Sequence, residues 1–331
     1  MKISIIIPVY NVKEYLEDCV ASVLQMKAEK EIVLVDDGST DGSGELCDAL
    51  GKVHGEVAVI HQENGGLSAA RNTGIRHSTG DFVMFLDSDD FIDPVETDAM
   101  LRGLKEETQV AMGLYQNYYA AEKKTEPESG EGFLQLSGIV PMERFLEAIP
   151  ADGQSCYMIA CRFLVRREFL LVHELFFLPG IYHEDEEWTH RLLCAAQTMQ
   201  VFHQYFYYYR QAREGAITST VKSKHLKDGF QIIERAEKLL LSLSADPARA
   251  QYLRQRMANI YMNSMIHVYR FSGEEREVIL QQLKKYKDLC TPYLPGKAGK
   301  VAGFCVRLVG LNATCRLLHR VWLLKKREGK E

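Results

Sequence analysis

Phe82-Val83-Met84-Phe85-Leu86-Asp87-Ser88-Asp89-Asp90 is an apolar run that empties into three carboxylates. Residues 82–86 read as a buried strand. Carboxylates at the carboxyl end of a parallel strand lie in the crevice where open α/β sheets take their ligands. Their hard oxygens suit Mg²⁺ or Mn²⁺, which keep several waters and bridge to phosphates. Taken alone, the same acids read equally well as a cap for the helix that follows. The rest of the chain decides between the two readings.

Upstream, residues 3–9 are a short apolar, β-branched run ended by Tyr10-Asn11, a first buried strand. Residues 12–26 carry Tyr15, Leu16, Cys19, Val20 and Val23 at helical spacing. A second strand over 32–35 ends in Asp36-Asp37-Gly38-Ser39-Thr40-Asp41. Residues 42–53 read as a helix and 57–60 as a third strand. Asn64-Gly65-Gly66-Leu67-Ser68 then opens a helix running to His77, and Pro94 marks where the helix after the acids begins. Strands alternating with helices of this length predict right-handed βαβ crossovers and a parallel sheet. Beyond Val110 the pattern is less regular, with an exposed loop or hairpin over 120–132, a short helix over 141–149 and a strand over 201–209. Residues 224–286 are helical in pattern, broken near Asp246-Pro247 and Ser272-Gly273.

Bulk properties narrow the class. The 331 residues are 46% hydrophobic and 26% charged, enough for one large domain or two smaller ones. The amino terminus lacks the apolar run and cleavage site of a signal peptide. No segment nears the roughly 18 uncharged apolar residues that span a bilayer, so the expectation is a cytoplasmic protein. Eight cysteines show no paired ligand spacing, which argues against zinc and for core filling in a reducing compartment. Residues 289–327 hold eight Lys/Arg and no Asp/Glu, leaving 32 bases against 45 acids elsewhere, a balance of −13. A basic tail on an acidic body points to one localised anionic partner and away from general nucleic-acid binding.

Strands of a parallel sheet end at one edge, so the loops at Pro8-Val9-Tyr10-Asn11, Asp36-Asp37-Gly38-Ser39 and Asp87-Ser88-Asp89 should converge there. An aromatic (Tyr10), carboxylate acceptors (Asp36 or Asp37), a cation (Arg71) and a metal site (Asp87, Asp89) together describe a nucleoside-diphosphate pocket. Singly, each has a plainer reading: turn chemistry for the Asp36 loop, a solvated helix face for Arg71, packing for Tyr10. No G-x-G-x-x-G follows the first strand, which argues against a dehydrogenase, and the absence of a Gly-rich loop with Arg or Lys there argues against a nucleotidyltransferase.

Four motifs in order carry a resemblance: Ser4-Ile5-Ile6-Ile7-Pro8-Val9-Tyr10-Asn11, Val35-Asp36-Asp37-Gly38-Ser39-Thr40-Asp41, Asn64-Gly65-Gly66-Leu67-Ser68-Ala69-Ala70-Arg71-Asn72 and Phe85-Leu86-Asp87-Ser88-Asp89-Asp90. The chain resembles a family 2 glycosyltransferase, closely over residues 1–95, again at 180–185 and more faintly at 207–220. The resemblance implies the GT-A fold, an α/β class with a Rossmann-like, mostly parallel sheet flanked by helices, here with a helical C-terminal appendage. It places a glycosyltransferase domain over 1–220, donor half 1–115 and acceptor half 116–220, before a helical region over 221–331. It implies a nucleoside-diphosphate sugar donor, Mn²⁺ or Mg²⁺, a saccharide or lipid-linked saccharide acceptor, and inversion at the anomeric carbon. Uridine is the expected base. Pro8 and Tyr10 would line base and ribose, Asp37 would accept from the base, and Arg71 would help hold the nucleotide. Asp87 would bind ribose or metal-bound water, Asp89 the metal, and Asp185 would be the general base. An acidic helix N-terminus is the plainer reading of residues 183–187. A catalytically inactive nucleotide-sugar-binding scaffold is the alternative, and no Gln-x-x-Arg-Trp segment suggests a processive polymerase. Tyr207-Tyr208-Tyr209-Arg210 continues into a segment where Ala216 stands in place of the family's usual serine. Arg210 and Arg213 read either as diphosphate ligands or as surface residues, and Trp188 as an acceptor-side or a packing aromatic.

In the tail, Val301, Phe304, Leu308, Leu311, Cys315, Leu318 and Trp322 repeat at spacings of three and four, predicting one helix over about 300–327 with one apolar face. Bases surround it. Such a helix can lie on the inner face of a membrane, dock on its own domain or meet a second subunit.

Overall fold

The computed structural model describes residues 1–128, 133–149, 159–211, 222–243, 245–290 and 296–327. Its central strand is β1 (Ile3–Val9), buried along its whole length. It pairs in parallel with β2 (Lys30–Asp36) from Ile3↔Lys30 to Val9↔Asp36, and with β4 (Phe82–Phe85) from Ile3↔Phe82 to Ile6↔Phe85. β3 (Val57–His61) extends β2 in the same direction. Full burial of β1, β4 and residues 32–35 of β2 on both faces is why these stretches read as unbroken apolar runs. Pro8 fits because of register. Ile6 turns its carbonyl to Leu86 of the β4 side, so Pro8, two residues on, faces the same side where β4 has already ended. The N–H that proline lacks therefore falls beyond the last paired residues of β1 and β4.

The helices α1 (Lys13–Leu24), α2 (Ser43–Val53) and α3 (Leu67–His77) make the crossovers. α3 lies so near β1 that a Cβ on Gly74 would fall 2.2 Å from Cγ2 of Ile6. Gly74→Ala is therefore expected to cost about 1–3 kcal/mol by overpacking, read as a lower urea midpoint with an unchanged m-value.

Beyond β4 the sheet turns mixed, in the order β3-β2-β1-β4 and then β9 (Phe163–Arg166), β6 (Val110–Tyr119), β10 (Thr198–Arg210) and β5 (Phe91–Ile92). β9 runs antiparallel to both β4 and β6. β10 returns parallel to β6 and pairs at its far end with β5. The short strands β7 (Lys124–Pro127) and β8 (Gly138–Pro141) pair with β6 and β10, so the expected loop or hairpin after Ala120 is a hairpin as far as residue 128. β9 gave no periodic signal: four residues between helical turns are too few. α4 (Pro94–Gly103), α5 (Met142–Ala148), α6 (Arg167–Val172) and α7 (Glu184–Ala195) complete this part of the chain. Pro94 does open α4, behind an Asp93 cap that accepts from Val95 and Glu96.

The chain divides into two units, one of Met1–Phe145, Met158–Gly180 and Glu184–Ala216, the other of Leu146–Tyr157, Ile181–His183 and Ile217–Glu331. The second holds α8 (Ser223–Ser242), α9 (Pro247–His267), α10 (Gly273–Lys285), α11 (Gly296–Val309) and α12 (Leu311–Arg327). The breaks fall where the sequence puts them, with Asp246 capping α9 through the amide of Arg249. The tail differs from its expectation. It is two helices, not one, because Gly310 adopts φ +82° and closes α11. Glycine reaches the left-handed region without strain, which is why it stops helices. The predicted single face is split accordingly. In α12, Cys315 is buried, His319 bonds the carbonyl of Ile266 at 3.1 Å and Trp322 meets the edge of His267, so this half docks on α9. The α11 half, Val301, Phe304 and Leu308, stays exposed.

Candidate functional site

β1, β2 and β4 end at one edge, and their loops are tied together by side chains. Asn11, at φ +53°, accepts from the amide of Thr40 at 2.8 Å and donates its own amide to Ser39 Oγ at 3.2 Å. Tyr10 stands at this edge with about half its surface open, and Pro8 is buried beneath it in β1. Asp37 is buried, and its carboxylate holds the loop that starts α3. Oδ1 accepts from Gln62 Nε2 at 2.6 Å and from the Gly65 amide at 2.9 Å, and Oδ2 accepts from the Gly66 amide at 2.7 Å. Gly66 takes φ +83° and ψ 169°, a conformation essentially confined to glycine. A Cβ on Gly65 would lie 2.8 Å from Cβ of Ala69. The Gly-Gly pair thus presents two amides to Asp37 and launches the helix.

One turn into α3, Arg71 is 1% exposed. Its Nη1 donates to Glu184 Oε1 at 3.0 Å and Asp185 Oδ1 at 2.5 Å, and its Nη2 to Asp87 Oδ1 at 2.8 Å. The Phe177 ring lies 5.1 Å from the guanidinium carbon. A buried cation is tolerable only when paired, and here one guanidinium faces three carboxylates. Burial works against its charge, but Asp185, Asp87 and Glu184 outweigh burial and hold the proton firmly. The acids carry the imbalance. Burial, then the charge of Asp185, pushes Glu184 up to about 7. Burial also raises Asp185, with Arg71 opposing it and Asp87 adding to it.

Asn72 and Ser68 place the two acids. Asn72 Nδ2 donates to the Phe177 carbonyl at 2.8 Å, and its Oδ1 accepts from the Phe177 amide at 2.7 Å. Ser68 Oγ donates to the Leu178 carbonyl at 2.9 Å. This face of α3 therefore holds the segment that leads to α7, whose first turn carries Glu184 and Asp185. Asp185 Oδ2 also accepts from the Ala160 amide at 3.2 Å. Trp188 is a packing residue: fully buried, stacked on Phe177 at 4.8 Å, its indole N–H on the Leu175 carbonyl.

The loop after β4 is anchored from below. Asp87 is 29% exposed and takes the Cys161 thiol on Oδ2 at 3.3 Å; burial and then Asp87 itself raise that thiol, keeping it a donor. Asp90 is buried, accepts from the Tyr207 hydroxyl and takes the Arg210 amide at 2.7 Å. Arg210 Nε reaches the Asp89 carbonyl at 2.8 Å while its guanidinium lies over Tyr15, Phe91 and Tyr118. Arg210 is thus not a loose surface residue; it ends β10 and braces the acidic loop. Arg213, Ala216 and Cys156 lie outside the described residues. The other seven cysteines are free, five of them buried, as core filling requires.

Asp89 is half-buried beside Asp87 at the sheet edge. Among the described residues no group of three or more His, Cys, Asp or Glu is placed to hold a metal. Two partly exposed carboxylates are nevertheless the hard oxygen donors that suit a cation completing its shell with waters and phosphate. Sequence reasoning missed the roles of Asn72, Cys161, Asp90 and Tyr207. The Asn72-to-Phe177 and Asp90-to-Tyr207 links each join residues more than a hundred positions apart, which no local pattern reports.

Comparison with known proteins agrees with this edge. Residues 4–171, half of the chain, match the sequence model described as glycosyl transferase family 2. The glycosyltransferase GlyG of Streptococcus pneumoniae is 29% identical over 300 residues, 87% of this chain and 93% of that protein. A poly(ribitol-phosphate) beta-glucosyltransferase of Bacillus spizizenii is 27% identical over 311 residues, 81% of this chain and 45% of that protein. Residues 1–349 of S. aureus TarS, solved with UDP-GlcNAc, superpose with a TM-score of 0.72 at 18% identity, covering all of this chain and 93% of that one. The Asp87 loop, the Gly-Gly entry to Arg71 and the strands beneath them fall within the matched residues, and the chain belongs to glycosyltransferase family 2, a GT-A fold enzyme that transfers sugars.

Proposed function

We propose that this glycosyltransferase moves one sugar, with inversion, from a UDP-sugar to a hydroxyl of a saccharide acceptor in surface-polysaccharide synthesis. One observation carries the reading: a single buried guanidinium holds Asp185 on one nitrogen and Asp87 on the other. The candidate base and the donor-side carboxylate are therefore set by the same rigid group. The UDP-GlcNAc bound to TarS supports the donor class, and the poly(ribitol-phosphate) relative supports a cell-surface polymer as acceptor.

The acceptor hydroxyl is a weak nucleophile, so its proton has to leave as the new bond forms. Asp185 takes that proton. The oxygen attacks the anomeric carbon opposite the diphosphate, the sugar–diphosphate bond breaks, and its electron pair leaves on the diphosphate oxygen. Inversion follows from one in-line step. Burial, against the opposing charge of Arg71, raises Asp185 from its ordinary value and makes it a stronger base. Tyr10 offers an exposed ring to the uracil, and Pro8 and Asp37 shape the wall behind it. Asp37 acts through the Gly65-Gly66 loop that it holds. Asp89 and Asp87 would hold Mn²⁺ or Mg²⁺, which supplies neutralisation of the charge on the departing diphosphate.

The test is a thermal-shift panel of UDP, GDP, dTDP and CDP, each with and without Mn²⁺, on wild type and Asp89→Asn. A metal-dependent rise with UDP that Asp89→Asn loses supports the reading, because a ligand of the folded state alone raises the midpoint. Folded protein that shifts with none of them overturns it.

The acid pair sets the pH profile. Burial and then the charge of Asp185 push Glu184 up to about 7, and repulsion between two like charges is mutual. Activity needs Asp185 ionised and falls as pH drops through the pair. Glu184→Gln removes the like charge, so the acid limb of kcat is expected to move to lower pH. An unmoved limb would dissociate Glu184 from the base.

A further inference from the structure

Residues 296–327 combine an uncovered apolar surface with bases and no acid. On α11, Val301, Phe304 and Leu308 stand a turn apart and are 62%, 64% and 71% exposed. On α12, Leu317, Val321 and Leu324 form a second stripe, 50%, 44% and 58% exposed. Single exposed apolar residues are ordinary, but aligned stripes on two consecutive helices are not. Folding does not need them: α12 has already committed its other face, with Cys315, His319 and Trp322, to α9. Where the helices meet at Gly310, Lys284, Arg316 and Arg320 line an open groove with Val309 and Leu317.

We propose that α11 and α12 dock on the anionic face of a lipid bilayer, the apolar stripes entering the acyl boundary and the bases meeting headgroup phosphates. Charge decides against a second copy as the occupant. An isologous pair would set the eight bases of one tail against the eight of another, with no acid in either segment to offset them. A bilayer with anionic lipid brings the opposite charge together with an apolar interior. Among the described residues no helix is long and apolar enough to cross a membrane, so the contact is interfacial.

The experiment is flotation of the full-length protein with vesicles of phosphatidylcholine alone and of phosphatidylcholine with phosphatidylglycerol. Binding is expected only to the second, weakening as salt screens the bases. Phe304→Glu with Leu308→Glu, and separately Leu317→Glu with Val321→Glu, should each cut partitioning about tenfold. Those side chains are exposed, so circular dichroism and the UDP-induced midpoint should match wild type. Arg316→Gln with Arg320→Gln should weaken binding and flatten its salt dependence. The proposal fails if wild type ignores anionic vesicles, binds neutral ones equally, or is unaffected by the apolar substitutions. It also fails if sedimentation shows a dimer that Phe304→Glu with Leu308→Glu dissociates while vesicles bind neither form.

Discussion

Arg71→Ala is expected to destabilise the protein by about 3–5 kcal/mol near pH 8, because it strips the guanidinium that pairs with Asp87, Glu184 and Asp185. The loss should depend on pH, and the sign can be worked out. Without the guanidinium, the folded-state pKa values of Glu184 and Asp185 rise further above their unfolded values. A group raised on folding contributes stability that is present below its unfolded pKa and is lost as pH rises through its folded one. In wild type the Glu184 window runs from the ordinary value of 4.5 to about 7. In the variant that window extends upward, so the gap between the two proteins widens from acid to alkaline pH. Urea melts at several pH values measure this. A gap of constant size would mean that Arg71 stabilises by packing on Phe177 and not by charge. Arg71→Lys should recover only part of the loss, since one ammonium cannot fork to three acceptors.

Asp185→Asn should lower kcat by about a hundred- to ten-thousandfold, the usual worth of a positioned general base. Donor binding should survive, because Tyr10, Asp37 and Asp89 sit on other loops. The measurement is transfer rate beside the UDP midpoint shift. Loss of rate with an intact shift assigns Asp185 to the chemical step; loss of both means that it holds the donor site together. A modest drop in stability comes with the change. Asp185 accepts from Arg71 on one oxygen and from the Ala160 amide on the other, and asparagine can accept on only one side. Rates should therefore be normalised to folded protein.

Much of the first unit is legible in the chain because its causes are local. The strands over 3–9 and 82–86 announce themselves as unbroken apolar runs, since both faces are covered. Gly65-Gly66 marks the entry to α3 because only glycine accepts that backbone, and Asp246-Pro247 and Ser272-Gly273 mark helix starts in the second unit. The family resemblance rested on the same stretches, and the matched residues 4–171 bear it out. Gly310 was also visible, an isolated glycine in a helical pattern. The regular spacing of apolar residues across it concealed the break.

The alternation of elements, the edge where the loops gather and the family are legible along the chain. Each follows from interactions between near neighbours or from motifs of a few residues. Tertiary structure decided the rest. The sequence offers Arg71 as a nucleotide-holding cation, but only the fold shows it paired with Glu184 and Asp185, 113 and 114 residues away. Which carboxylates share one guanidinium, which tail stripe is buried on α9 and which is left bare depend on how elements pack. Side-chain spacing along the chain carries no record of that, because a helix face shows its periodicity whether or not something covers it.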